Sequence, residues 1–397
     1  MARGRTVTGA YFMKSADREL MEWMVRIRRH LHMWPELAFE EVKTSSYICE
    51  RLDELGLPYR KAVAGTGVVA SIKGQRPGPC VALRADMDAL PIEERTGLAF
   101  ASRVPGVMHA CGHDGHVAML LGAARLLSQR PPDSGEVRLI FQPAEEGRGG
   151  ARVMVEEGVL DGVSAIFGGH IDRHYMVGEI VVQPGLICAF TDSFHIAVKG
   201  KSGHAARPHE AVDAVVAASH LVIAVQSLVT RRLNPTYPSV ISIGKIEAGS
   251  AHNIIAGRAD LFGTIRTTHA GIRKRVLEGM ERVASSVGQL FSADVSITYK
   301  NHYPPVINSP EACDVAREAA VSVVGQGHVI GQAHPSLGGE DFSFYLEQVP
   351  GCFVRFGAVK PGQEEIPAHS PFFDFDEDVL PIGAEFFEKV ARRFLDE

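Results

Sequence analysis

Five short apolar runs most narrowly limit what this chain can fold into: residues 68–72, 81–83, 137–141, 165–167 and 353–356. They are too short for helices, and helical patterns such as residues 116–127 lie between some of them. Strands separated by helices build an α/β fold in which a mainly parallel sheet is covered on both faces. The opening stretch, residues 17–55, reads as helical, with Leu20, Trp23, Met24 and Ile27 spaced for one face.

A different order begins near Ile187. Residues 193–198 alternate as a half-buried strand, 211–229 read as a long helix, 239–246 and 259–264 as strands, 272–287 as a helix and 295–299 as a strand. That succession is the split βαβ order of a ferredoxin-like sandwich. The expected organisation is therefore a discontinuous catalytic domain, 1–186 with 301–397, and an inserted α+β domain, 187–300. No internal repeat or low-complexity segment interrupts it, and the Pro/Gly-rich residues 74–79 read as a local turn.

Composition removes several function classes. Lys and Arg number 41 against 47 Asp and Glu, a net charge of −6 without long blocks of one sign, which does not suit a nucleic-acid groove or a polybasic membrane surface. No uninterrupted apolar run has the length of a membrane span, and residues 1–20 alternate polar and apolar side chains unlike a secretory leader. The six cysteines are scattered without a CxxC pair, too sparse for a disulfide framework, so a reducing cytoplasm is expected. A small-molecule partner fits best.

In open α/β sheets ligands bind beyond the carboxyl ends of the strands. Here those ends deliver Arg84-Ala85-Asp86-Met87-Asp88, Gln142-Pro143-Ala144-Glu145-Glu146-Gly147, Gly168-Gly169-His170 and, after the last run, Pro367-Ala368-His369-Ser370. Between the first two lies His109-Ala110-Cys111-Gly112-His113-Asp114-Gly115-His116, a poor hydrophobic core and a poor amphipathic helix. Cys, His and Glu are first-row metal ligands, and they arrive from separate segments at one sheet edge. Adjacent Glu145 and Glu146 allow one carboxylate to hold a metal while the other takes a proton from attacking water. The isolated His195, His220, His269, His302, His328 and His334 read as structural. Gly200-Lys201-Ser202 lacks the earlier glycine of a phosphate loop, and no GxSxG, HExxH or GxGxxG is present.

The chain resembles the metal-dependent amidohydrolases and metallopeptidases that include hippurate hydrolases, aminoacylases, indoleacetyl-amino-acid hydrolases and glutamate carboxypeptidases. The resemblance runs through Arg29-His30-Leu31-His32 with Pro35-Glu36-Leu37, residues 83–91, 108–116, 141–147, 200–208, Gly263-Thr264-Ile265-Arg266-Thr267, Gly338-Gly339-Glu340-Asp341-Phe342 and 367–370. It is greatest to the hippurate and indoleacetyl-amino-acid hydrolase branch.

That resemblance implies two divalent ions per subunit, zinc first and manganese, cobalt or nickel as alternatives, held by Cys111, His113, Glu146, His170 and His369. Glu145 would be the general base, Asp86 a carboxylate orienting a ligand histidine, and Cys111 a thiolate where related carboxypeptidases use a bridging aspartate. The inserted domain is similar to a lid carrying a homodimer interface. Its His204 would stabilise an oxyanion, often across the dimer, and Asn253 with Arg266 would hold the substrate's carbonyl or carboxylate. The implied substrates are N-acyl or N-aroyl amino acids. The alternatives are a dipeptidase, carboxypeptidase or metabolite deacetylase and, in another class, an inactive binding or regulatory protein. Two segments depart from the family: Asp172-Arg173-His174 after His170 adds polar groups near the pocket rim, and Ala256 stands where proline is usual.

Overall fold

The computed structural model describes residues 15–360, 362 and 366–396. Residues 1–14, on which much of the N-terminal reading rests, lie outside the described residues. The first helical stretch divides into α1 (Ser15–Met33) and α2 (Val42–Glu54). The continuous helix expected over 17–55 fails at Pro35, which disfavours helical backbone at Trp34 and has no N–H to offer.

Strands β1 (Tyr59–Val63), β2 (Gly67–Lys73) and β3 (Arg76–Asp86) precede helix α3 (His113–Gln129), followed by β4 (Ser134–Gln142) and β5 (Val163–Met176). After the segment described below, helix α6 (Pro310–Val324), strand β10 (Gly351–Val359) and helix α7 (Val379–Asp396) complete the chain. The large sheet runs β1-β2-β4-β3-β5-β10, extended by the short strands Ile180–Val181 and Val329–Ile330. Its four central strands, β4, β3, β5 and β10, are parallel as expected, whereas β1 and β2 pair antiparallel, as does β10 with Ile180–Val181. The positive φ of Ala64 and Gly65 turns β1 directly back into β2, which only an antiparallel pair permits.

Burial explains the apolar runs. Val81, Leu83 and Ala85 of β3 face one core with Val117, Leu121, Phe386 and Phe387 of α3 and α7, while Ala82 faces a second core with Ile140, Phe342 and Phe353. Each fully buried Leu or Phe contributes about 1.5–3 kcal/mol relative to exposure.

Between these halves come β6 (Phe190–Lys199), α4 (Ala214–Arg232), β7 (Ser239–Ala248), β8 (Arg258–Thr267), α5 (Ala270–Phe291) and β9 (Asp294–Tyr303). The strands form an antiparallel sheet in the order β7-β8-β6-β9, with α4 and α5 sharing one core against it through Leu221, Val225, Val276 and Met280. Asp213 caps α4 by accepting the Val215 and Val216 N–H groups. By length and composition α4 could cross a membrane, with a mean hydropathy of 1.5, but Ala217, Leu221 and Val225 bury its inner face on this sheet.

Candidate metal centre and active site

The carboxyl ends of β3, β4 and β5 meet the start of α3 at a cavity of about 820 Å³. Gly112, at φ 93°, turns the chain into α3 so that Cys111 and His113 flank the bend. After β4, Ala144 is held at φ 57°, a region costly for a residue with a side chain, and its N–H donates to Glu41 Oε1 at 2.9 Å. The next two N–H groups, of Glu145 and Glu146, donate to the two oxygens of Asp88 at 3.0 and 2.9 Å. Gly150 closes this turn where a Cβ would lie 1.7 Å from the Pro143 carbonyl oxygen, so no larger residue fits. One buried carboxylate therefore aims both glutamates.

Two of the candidate ligand histidines, buried His113 and half-buried His170, have one nitrogen committed. His113 Nδ1 lies 2.9 Å from the Asp88 carbonyl oxygen and His170 Nδ1 lies 2.6 Å from that of Ile171, so each ring donates there and turns an Nε2 lone pair to the cavity. His113 Nε2 and Glu146 Oε1 are buried without a hydrogen-bond partner, although His369 Nε2 approaches Glu146 Oε1 to 3.1 Å. Two donor triads result, Cys111-His113-His170 and Cys111-Glu146-His369, each with its ligand atoms within 4.8 Å of one another. Cys111 belongs to both. Burial, and then the Glu146 carboxylate, push its thiol up to about 12, so a thiolate there requires cations. Orphaned donors and a shared soft ligand fit a pair of divalent ions.

His369 sits at φ 66°, and its N–H donates to the Ala110 carbonyl at 2.7 Å. Arg28 holds this region from below, bridging Asp114 at 3.0 Å, Asp374 at 2.7 Å and Glu377 at 3.2 Å. His116, the other histidine of the motif, is spent inside the protein: Nδ1 donates to Asp86 at 2.6 Å and Nε2 accepts the Ile171 N–H at 2.8 Å. Asp86 thus orients His116, and it lies 3.7 Å from His113 Nε2. Burial alone would raise Asp86, but Arg84, His113 and His116 hold it well below the usual carboxylate range.

Glu145 is buried beside Glu146 with Oε1 3.3 Å from the Asp341 N–H, and its backbone carbonyl accepts the Tyr303 hydroxyl at 2.9 Å. Burial, then the charges of Glu340, Glu146 and Asp341, raise its carboxyl well above the usual range. Arg84 ties the acidic group together, reaching Asp86 at 2.6 Å, Asp341 at 2.9 Å, Glu340 at 3.2 Å and Gln142 at 2.7 Å.

The structure separates Arg266 from the other two residues of the middle segment. Arg266 lines the cavity and donates to the Thr191 hydroxyl. His204 and Asn253 are exposed side by side, His204 pairing with Ile254 and the Ala205 N–H donating to the Asn253 carbonyl at 3.1 Å. Arg266 lies opposite Thr191 at one end of β8 and Arg258 opposite Lys199 at the other. Eight residues of strand span on the order of 25 Å. Within one chain Asn253 and Arg266 therefore stand towards opposite ends of β8, and Arg266 alone of the two lines this cavity.

Asp172, Arg173 and His174 line the cavity as expected of the rim. The sequence reading gave no role to Asp88, Arg84, Glu340, Asp341, Tyr303 or Arg355. Arg84 and Asp88, charged residues at the end of an apolar strand, and the acidic pair Glu340-Asp341 are the available signal.

The sequence pattern of peptidase family M20/M25/M40 matches residues 82–393. The chain is similar to thermostable carboxypeptidase 1 of Saccharolobus solfataricus, 42% identical over 388 residues that make up 96% of this chain and 98% of that protein. It is similar to N-acetylcysteine deacetylase of Bacillus subtilis, 42% identical over 382 residues, 95% and 98% of the two chains. Its fold matches the crystal structure of the Bacillus subtilis YXEP protein, described as a dinuclear metal-binding M20 peptidase, at a TM-score of 0.81 and 39% identity over 96% and 99% of the two chains.

Proposed function

The chain belongs to peptidase family M20/M25/M40 and is an amide-bond hydrolase; on that premise we propose that it hydrolyses N-acyl or N-aroyl amino acids, in the manner of a hippurate hydrolase. The observation that carries this reading is the pair of donor triads sharing Cys111, with Glu145 beside them. Two divalent ions held by Cys111, His113, Glu146, His170 and His369 would polarise the amide carbonyl and lower the pKa of the attacking water. The mixed thiolate, imidazole and carboxylate set favours zinc, with manganese, cobalt or nickel able to replace it.

The rest falls to the protein. Glu145 takes a proton from the attacking water and returns it to the leaving amine. The Asp88 carboxylate keeps it in place by accepting its backbone N–H. Arg266 binds the free carboxylate of the amino-acid half, for which its planar fork is suited. His204 and Asn253, together at the far end of β8, serve the cavity of a second copy, His204 donating to the tetrahedral oxyanion. That division supports a homodimer through the middle segment, residues 187–300 acting as a lid on the flanking catalytic domain. The scattered cysteines support a cytoplasmic enzyme.

The test is metal-free protein reloaded separately with zinc, manganese, cobalt or nickel and offered hippurate, N-acetyl and indoleacetyl amino acids and dipeptides. Chelator-sensitive cleavage of the N-acyl amino acids is expected. Cleavage of dipeptides alone would reassign the chain to peptidase chemistry, such as the carboxypeptidase relative's name describes. Glu145→Gln is expected to keep its metal while kcat falls roughly 10²- to 10⁴-fold; unchanged turnover removes the general-base role.

A further inference from the structure

β10 is buried along nearly its whole length, Gly351, Cys352, Phe353 and Val354 before Arg355 and Phe356 to Val359 after it. A cation in such a strand is costly unless something pairs with it. Arg355 stands opposite His170 in the parallel β5-β10 ladder, and registered neighbours project from the same face. Its guanidinium therefore enters the cavity next to a metal-donor histidine, and it is one of the residues lining that cavity.

What Arg355 does not meet there is a counter-ion. Its hydrogen-bond partner is the Cys188 Sγ at 3.1 Å, and among the described residues no carboxylate lies within the 4.0 Å of an ion pair. The nearest acids, Asp172 and Glu340, act on it only at longer range, each with one oxygen already bound: Asp172 Oδ1 accepts the His174 N–H at 2.9 Å and lies 2.6 Å from its Nδ1, and Glu340 Oε1 is bound by Arg84 and by the Phe342 N–H. Cys188 is 1% exposed, and burial keeps its thiol protonated and neutral. A guanidinium carries five N–H donors, so most of its fork remains for a ligand.

Arg266 reaches the same cavity from the middle segment. It touches Thr191, and Arg355 touches Cys188, three residues earlier in the chain, across the break at Ala189 between two strands. Those contact points lie on the order of 10 Å apart, a gap that two arginine side chains converging on one ligand can close.

We propose that Arg355 is a second carboxylate-binding residue and that the preferred substrates are N-acyl amino acids carrying two carboxylates. This rests on the hydrolase reading above, with Arg266 holding one carboxylate and Arg355 the other. The second carboxylate comes either from an acidic amino-acid side chain or from a dicarboxylic acyl group.

The deciding experiment compares N-acetylalanine, N-acetylglutamate and N-succinylalanine on the metal-loaded protein, Arg355→Met and Arg355→Lys. The wild type is expected to favour one diacid over N-acetylalanine in kcat/KM by roughly 10- to 100-fold, the worth of a charge-assisted hydrogen bond. Preference for N-acetylglutamate locates the carboxylate on the amino acid; preference for N-succinylalanine locates it on the acyl group. In Arg355→Met that ratio should collapse towards one, mainly through KM, and Arg355→Lys should recover part of it. A wild type indifferent to the second carboxylate overturns the proposal, as does an equal loss on all three substrates accompanied by lost metal or a lower Tm. Calorimetric titration of both diacids into Glu145→Gln, with and without Arg355→Met, separates the two readings. Arg355-dependent binding without hydrolysis of any substrate by the wild type would retain the carboxylate site and remove the hydrolase reading. Hydrolysis without diacid preference would do the reverse.

Discussion

The donor cluster and the middle segment that carries His204 and Asn253 are built in opposite ways. Around Cys111 and His113 the supporting groups are buried and hydrogen-bonded: Asp88 takes two backbone N–H groups, its carbonyl faces His113 Nδ1, and Asp86 fixes His116 against β5. Nothing comparable holds His204 and Asn253, which lie exposed on a short ladder at the far end of β8. Ligand geometry needs tolerances of about half an ångström and is built on rigid elements, whereas an oxyanion donor arriving from elsewhere has to remain accessible until it docks.

The contrast breaks most easily at His204. If it acts in the cavity of a second copy, His204→Ala loses roughly 10²- to 10³-fold in kcat while its metal content and Tm stay at wild-type values. Glu145→Gln is inactive for a different reason. Co-expressing the two variants therefore creates mixed dimers in which one cavity has both an intact Glu145 and an intact His204 from its neighbour. A substantial return of activity is expected in the mixture; no return, with dimers demonstrably mixed, places His204 outside the chemistry.

Asp88 probes the donor half. Asp88→Asn keeps the shape but replaces one accepting oxygen by an NH₂ group that faces a backbone N–H, either that of Glu145 or that of Glu146. Metal affinity should fall about 10- to 100-fold, as for other residues that orient ligands, with an accompanying loss of about 1–3 kcal/mol for the buried unpaired group. Competition against a graded chelator series reads the first quantity and denaturant unfolding of the metal-free protein the second. Wild-type affinity in this variant would mean that the Glu145-Glu146 turn holds itself.

Much of the donor half was legible in the sequence, for a physical reason. Cys111, His113, Glu145, Glu146 and His170 stand beside apolar runs, and a strand can only end its buried stretch at the sheet edge, so their meeting follows from the fold class. Asp88 was visible as a residue, but its task of accepting two main-chain N–H groups depends on the positive φ of Ala144, which no side-chain pattern announces. Arg355 was hidden within a run read as apolar. In the middle segment sequence spacing hides distance: Asn253 and Arg266 look close in sequence, yet most of the interval between them is β8, and a strand advances about 3.3 Å per residue. Pro35, by contrast, was a plain signal that one helix would become two.

The smallest expected effect lies beside Arg266, near the start of β6. Asp192 of β6 adjoins Thr191, the partner of Arg266, and pairs with both guanidinium nitrogens of Arg273 at 2.7 and 2.8 Å and with His302 at 3.2 Å. Burial would raise its carboxyl, but Arg273 and His302 lower it to about 2 from an ordinary 3.8. A depressed carboxylate binds fewer protons folded than unfolded, so its stabilisation is complete above the unfolded pKa and fades as pH falls through the folded one. Asp192→Asn should therefore cost about 1 kcal/mol, allowing for solvent screening of the His302 side, at neutral pH. The difference between wild type and variant should shrink between about pH 4 and 2, measured by denaturant unfolding across that window. If the difference is flat with pH, the Arg273 contact is held by shape and not by charge, and the middle-segment side of the cavity would then share the donor cluster's dependence on packing.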